Sequence, residues 1–473
     1  LKSTSWNQYN HNFNATLLQE TAFNSNSAGA FECWSSHYDR IRRENEFLRD
    51  AAEFGSKFGE DWLKIRIAEV RFCRAYAYFM LCRVYGGVIL RTEVDGPEQN
   101  DKARSTEEEC WGFIINELKE LAPDLPLKWD SDNSGRATQK AAYGLLSRVA
   151  LYAEKWDVAA QAARDCATAE GNLDLSKNGY AKIFELGINS PEVLFAVEFK
   201  SSVIDHAYDA YVRPSGDTKE LGKQVYSGFV PTSELVDSYE MAGDGGNFSW
   251  EKHGKDPYAN REPRFYATIL YNGADWMGRK IESFVGGKDG YKAYENAGAA
   301  GTTVTGYYLR KYLIDGDKTW VTSGSGQDWI VLRYAEVLLN KAEALAMENW
   351  NKNSAEALQA LNDVRARVGL PARATADKET FLEYVRHERK VELAGEGFRY
   401  WDLRRWRLAE KVIDGQNVHG VKISKQSDGS FTYEQVDADG GHKRIFYDRY
   451  YRFAIPLSER SNNSLCTNND GWI

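Results

Sequence analysis

The chain has 473 residues and a mass of 53.7 kDa, enough to bury a large core and to form two or three domains. Its net charge of −9 and pI near 5.5 argue against a polyanion partner, because phosphate binding needs a surplus of Lys and Arg, so no nucleic acid is expected. No apolar run approaches the roughly 18 residues needed to cross a bilayer.

The chain starts at Leu1 without a charged leader, which reads as a trimmed sequence compatible with a removed export signal. Six cysteines show neither CxxC nor metal spacing with the seven histidines, so no disulfide framework and no metal site is expected. Cys73, Cys82 and Cys166 fall in helical patterns and are expected to be small buried hydrophobes. Aromatic content is high, 13% with 14 Trp and 27 Tyr beside 39 Gly. Rings of this kind serve cores and ligand faces alike.

In chain order, a flexible run (NSNSAGA) precedes a helix over 31–48 with Trp34, Tyr38, Ile41 and Asn45 on one face. Residues 61–85 form a helix capped by Asp61 and apolar on two faces, ended by Gly86 and Gly87, with VIL as a short strand. Ser105 opens a helix to Leu121 with three glutamates in its first turn. Thr138 to Ala169 is a helical hairpin turning at EKW, with Trp156 and Ala159 where a tetratricopeptide (TPR) repeat places its aromatic and first small residue.

Between 186 and 328 periodicity fades and Gly, Asp, Asn and aromatics take over. EVLFAVEF (192–199) and RFYATILY (264–271) read as strands, and Pro231 and Thr232 open a short helix. Long loops of this composition are functional or disordered, and these carry too many rings for disorder. From Asp328 a second TPR-like hairpin runs through Val331, Ala335, Leu338, Ala342 and Leu345, turns at NWNKNS, and returns through Ala357, Leu361, Val364 and Val368 to Gly369. Residues after 413 are strand-like and rich in turns. The expected divisions are 1–185, 186–328 and 329–473.

The stretch 380–407, TFLEYVRHERKVELAGEGFRYWDLRRWR, is the most informative. Thr380 and Glu383 form a capping box, and Glu388 and Glu392 continue the apolar face of Phe381, Tyr384 and Val385. Carboxylates entering a packed face need cations. Arg386, Arg389 and Lys390 stand nearby, and after Gly395 and Gly397 an aromatic and guanidinium cluster from Phe398 to Trp406 folds back. A buried ion-pair network is expected, in preference to a catalytic pair (Glu388, Glu392) or an arginine patch for nucleic acid.

ERKVELAGEGFRYWDLRRW resembles the C-terminal signature of the SusD/RagB family, nutrient-capture lipoproteins of Bacteroidetes. LRYAEVLLNKAEALA, DPYANREPRFYATILYNG, PTSELVDSYE and EVRFCRAYAYFMLCRVYGGVIL resemble further family segments, from about residue 31 to the end. The closing segment departs from the family's Pro-Gln-Ser-Glu turn and Gln-Asn-Pro-Gly ending, a matter of tail packing. The resemblance implies a mainly α fold, a TPR-like helical hairpin scaffold (an α-α superhelix) with a loop-rich lobe containing short strands. It implies no catalytic activity and no cofactor. It also implies capture of a glycan or, in some branches, peptides, a SusC-like TonB-dependent transporter as partner, and an outer-membrane surface location through an N-terminal lipid anchor that this chain lacks.

A sugar presents C–H faces and a rim of hydroxyls, so its site needs flat rings beneath and fixed polar groups at the edge. The loops offer Trp276 as stacking platform with Asn272, Asp275 and Arg279 as rim, then Tyr291, Tyr294, Trp320 and Trp250. Asn24, Asn26 and Trp34 are expected to face the same pocket. A tryptophan after a strand more often covers a core, so the cluster carries more weight than its members. An all-helical glycosidase using Glu388 with Glu392 and a TPR-type adaptor are the competing functions; the surrounding cations disfavour the first, and the interrupted repeats disfavour the second. Asp244, Asp256 and Asp289, acids near glycines, are the calcium ligands considered.

Overall fold

Alternating small and large apolar residues at helical spacing in the first third fold into successive helices. The computed structural model describes residues 2–3, 23–96, 101–293 and 302–472; it is about 48% helical, with two-stranded sheets among the described residues. The chain forms two compact units, each gathered from separate stretches. A helical unit comprises Phe23–Asn172, Val331–Ala360 and Tyr447–Ile473, and a loop-rich unit comprises Leu1–Ala22, Leu173–Ile330 and Leu361–Phe446. The sequence reading kept 329–473 as one region, whereas the structure divides it between both units.

In the helical unit, α1 (Trp34–Phe54) buries Trp34, His37, Ile41 and Asn45. The next helix, α2 (Glu60–Tyr85), starts one residue before Asp61, which lies in the first turn instead of capping it. Thr106 and Glu109 make a reciprocal capping box on α3 (Glu107–Leu121), so the cap is one residue beyond the expected Ser105. The expected VIL strand is absent: tyrosine hydroxyls do the work of a neighbouring strand. The Tyr38 hydroxyl accepts from Ile89 N (2.9 Å) and donates to Ile89 O (2.8 Å), and Tyr78 does the same at Arg91.

The hairpin of α4 (Gln139–Tyr152) and α5 (Trp156–Thr168) forms as expected, turning at Glu154 with φ 56°. Ala159, Ala160, Ala162 and Ala163 bury a small-residue face that lets the helices approach closely. The second hairpin starts later than expected, because Trp329–Arg333 is a strand. A helical run, Tyr334–Arg367, then breaks at Asn349 (φ −164°, ψ 92°), inside the expected NWNKNS turn. Arg148 of α4 clamps Glu336 through two hydrogen bonds of 2.6 and 2.5 Å. Cys73 is exposed, against expectation, while Cys82 and Cys166 are buried.

In the loop-rich unit, RFYATILY is not one strand. Pro263–Thr268 is a helix with Pro at its first turn, and only Ile269–Leu270 pairs, antiparallel, with Tyr308–Leu309. The signature helix spans Lys378–Glu392 and is capped by Asp377, whose carboxylate accepts from both Thr380 N and the Thr380 hydroxyl at 2.7 Å. Thr380 therefore serves the cap as a donor, three residues inside the start it was expected to mark. His419–Lys425 and Phe431–Asp437 pair as an antiparallel hairpin.

The signature helix runs along the expected ion-pair network. Glu388 takes Arg264 on one oxygen (2.5 Å) and Arg365 on the other (3.0 Å). Glu392 takes Arg264 (2.9 Å) on one oxygen and Arg367 on the other. Arg365 clamps Glu240 through two bonds of 2.9 Å, Arg367 reaches Glu192, and Arg264 also holds Glu262 at 2.6 Å. Beyond the Gly395 and Gly397 turns, Arg389 grips Asp402 at 2.9 and 3.0 Å, and Arg404 lies 4.6 Å over Trp401. Burial alone would raise the Asp402 carboxyl, but Arg389 and Arg405 hold it below the ordinary range.

Candidate functional site

The loop chemistry divides into rings buried in the core and rings left at its edge. Trp276, expected as the stacking platform, is fully buried, and its indole N–H donates to Asp217 at 3.0 Å. Trp320 is 3% exposed. The Arg213 guanidinium sits 5.3 Å from the Trp276 ring and 5.2 Å from Trp320, and donates to the carbonyls of Ile314 and Asp317, so these rings face a cation inside the lobe.

Arg279 is likewise committed inward, bonding Asp289 at 2.6 and 2.9 Å and Asp217 at 2.8 Å. Gly216 is required beside this pair, since a Cβ there would meet an Asp289 oxygen at 2.5 Å and Arg279 at 2.8 Å. Asn272 and Tyr291 are buried. Trp34 is buried in the helical unit with its N–H on Glu459 at 3.1 Å, and the Asn24 side chain accepts from Asn26 N in a local turn. Asn26 is exposed in that turn. Tyr294 lies outside the described residues. Of the expected set, Asp275 is exposed and Trp250 half-buried.

Those two residues lie on an array that the sequence reading missed. Trp250 starts a helical turn capped by Ser249, and its N–H donates to Asp237 at 2.9 Å, which fixes the ring. Its ring stands 6.0 Å from Tyr433 of the hairpin, which meets Tyr258 edge-on at 5.8 Å. Tyr258 lies 4.6 Å from Tyr271, and Tyr271 lies 6.0 Å from Tyr266. Trp250, Tyr266, Tyr271, Phe284, Phe431 and Tyr433 are all half-buried against one core cluster that includes Val391 of the signature helix and Val421 and Ile423 of the hairpin. The alternation of Phe431 and Tyr433 along FTYEQ is the signal that marks one hairpin face as packed.

Polar groups edge the array. Burial pushes the Tyr433 phenol up to about 12, with the charge of Asp256 adding to it. Burial also raises the Tyr271 phenol, with Tyr266, Asp275 and Asp256 adding and Arg310 opposing. Both phenols stay protonated at neutral pH and remain hydrogen-bond donors. The acids considered for calcium do not gather, and among the described residues no three His, Cys, Asp or Glu side chains form a cation cluster. Glu388 and Glu392 are buried between arginines.

A family model described as the SusD family matches residues 191–472, and one described as "Starch-binding associating with outer membrane" matches residues 2–151. A SusD-like protein of Bacteroides ovatus is 26% identical over 452 residues, 89% of this chain and 74% of its own length. Two crystal structures from Bacteroides fragilis share the fold. A SusD-like protein matches with a TM-score of 0.84 at 27% identity, covering 99% of this chain and 91% of that one. A SusD-like carbohydrate-binding protein matches with a TM-score of 0.80 at 25% identity, covering 95% of this chain and 88% of that one.

Proposed function

This chain belongs to the SusD family, whose model covers more than half of it, and from that premise we propose that it captures a glycan without catalysis on the ring array of its loop-rich unit. The observation that carries the proposal is the run of half-buried rings from Trp250 through Tyr433 and Tyr271 to Tyr266, with the charges of Asp256, Asp275 and Arg310 acting on Tyr271. Rings held by their own hydrogen bonds present flat faces at little entropic cost, and the charged edge offers donors and acceptors to hydroxyls. Trp276 lies in a neighbouring buried cluster, against which Tyr271 also packs.

The finer parts of the proposal are delivery to a SusC-like TonB-dependent transporter and a surface position at the outer membrane through an N-terminal lipid. They are supported by family membership and by the outer-membrane association in the second matched model's description. Co-purification with a transporter encoded beside this gene tests them.

Affinity electrophoresis and calorimetry against soluble starch, a β-glucan, xylan and galactomannan test capture. One of them is expected to bind, with binding weakened about tenfold by Trp250→Ala or Tyr433→Ala. Silence toward every glycan, with clear binding of peptides, overturns it in favour of the peptide-capturing branch. Release of sugar from a labelled oligosaccharide, lost in Glu388→Gln, overturns the non-catalytic reading.

A further inference from the structure

The helical unit carries its own line of rings, and these are open to water. Phe58 is 56% exposed and Trp62 46%, large areas for side chains that an ordinary surface would replace with polar ones. They are placed firmly. Phe58 follows the 3₁₀ turn Gly55–Lys57 and donates its N–H to Gly55 O at 2.9 Å. Gly55 itself lies so close to α2 that a Cβ there would meet Leu63 at 2.5 Å. A side chain at 55 would press on the Leu63 side chain.

Trp62 and Arg66 stand one turn apart on α2, and Phe58, just before the helix, meets Trp62. The Phe58 and Trp62 rings stack at 5.0 Å with 28° between planes. Arg66 continues the column 5.4 Å from Trp62 and 5.4 Å from Trp129, and Arg136 closes it 5.2 Å from Trp129. The Trp129 N–H is fixed on Ala137 O at 2.8 Å. Glu69 accepts from Arg66 at 2.5 Å and from Arg136 at 2.6 and 2.7 Å, so one carboxylate serves both guanidiniums.

We infer that this column is a second carbohydrate platform, on which a neutral pyranose unit of the glycan stacks on the outer face of Phe58 and meets the exposed edge of Trp62. The inference rests on the glycan-capture reading above and adds a site in the other unit. The chemistry selects the occupant. A purely apolar partner would want a broad greasy patch, but here the rings alternate with paired ions, matching the alternation of C–H face and hydroxyl rim on a sugar. A sulfated or uronic glycan would want cations in excess, but Glu69 offsets the arginines, which favours a neutral sugar.

Calorimetry with the glycan that the wild-type protein binds best from the panel tests this. Phe58→Ala with Trp62→Ala is expected to weaken affinity about tenfold while leaving the melting temperature unchanged, because both rings are exposed. Phe58→Tyr with Trp62→Phe, which keeps flat rings, is expected to restore most of it. Unchanged affinity in the alanine pair, with loss in Trp250→Ala and Tyr433→Ala, overturns the second platform and leaves glycan capture standing. Loss in the column variant without loss in the array variant supports this platform and removes the array. Failure of the wild-type protein to bind any panel member overturns both.

Discussion

The charged seam along the signature helix and the ring array on the neighbouring loops belong to one unit, yet they use their side chains in opposite ways. In the seam Glu388 and Glu392 are enclosed and take a guanidinium on each oxygen. In the array the rings are half-buried against a core cluster, and carboxylates act on the Tyr271 phenol. Under the proposed function the seam acts through stability and the array through affinity. Each substitution below asks whether a residue belongs to one or to the other.

Arg264→Ala is expected to have the largest effect. This arginine, buried completely, is shared by Glu262, Glu388 and Glu392, and its loss leaves the buried Glu262 carboxylate without its guanidinium. Breaking a buried pair in this way costs about 3–5 kcal/mol; Glu388 and Glu392 keep Arg365 and Arg367, so the loss falls chiefly on Glu262. Urea unfolding reads it. A loss below about 1 kcal/mol would mean that water enters the seam, which would erase the contrast with the array.

Trp276→Ala comes next and bears on the most consequential correction. As a platform, Trp276 would matter for binding and little for stability; as a core ring against Arg213, it leaves a large cavity and an unpaired cation face. A stability loss of about 3–5 kcal/mol is expected, with unchanged affinity per folded molecule. Normal stability with abolished binding would return Trp276 to the site.

The two regions differed in legibility for a physical reason. Glu388, Glu392 and Arg389 lie on one helix, and a buried charge must find an opposite charge, so spacing alone announced the network. Its partners Arg264, Arg365 and Arg367 arrive from distant stretches and were not individually predictable. The helix pairs were legible through period and caps, with misplacements of one to three residues where Asp377 or Thr106 outcompeted a neighbouring cap. RFYATILY misled because its alternation is also compatible with a short helix, and Pro263 with the buried Arg264 decided for the helix. The loops gave no such rule. Whether Trp276 or Tyr271 points outward depends on Arg213 and on a hairpin more than 100 residues away, which no local pattern reports. Composition identified the ring-rich region; tertiary packing chose the exposed members.

Glu240→Gln sharpens the seam through pH. Burial by itself would raise the Glu240 carboxyl, but hydrogen bonds from His387 and Arg365, with the charges of Arg365 and Arg373, hold it well below the ordinary carboxylate range. A group depressed in the folded state stabilises above its unfolded value near 4.3 and loses that contribution as pH falls through its folded value. At pH 7 the wild type is expected to exceed Glu240→Gln by about 3 kcal/mol, and the gap to close steadily below about pH 4. Urea midpoints at stepped pH values check this. Parallel curves down to strong acid would mean that Glu240 acts through packing alone.

Asp275→Asn is the smallest expected effect and the finest test of where the array ends. Its carboxylate sits 2.8 Å from Lys280, with the two side chains 85% and 63% exposed, so water screens the pair and its loss shifts stability by less than about 0.5 kcal/mol. The same exposure leaves the carboxylate beside Tyr271 ready to accept from a sugar hydroxyl. An amide still accepts, but without the charge, so about threefold weaker glycan binding is expected. If stability falls more than affinity, Asp275 belongs with the inward-facing ions of Arg279. If neither moves, the rim stops at Tyr271, and Asp256 and Arg310 are left to hold the hydroxyls.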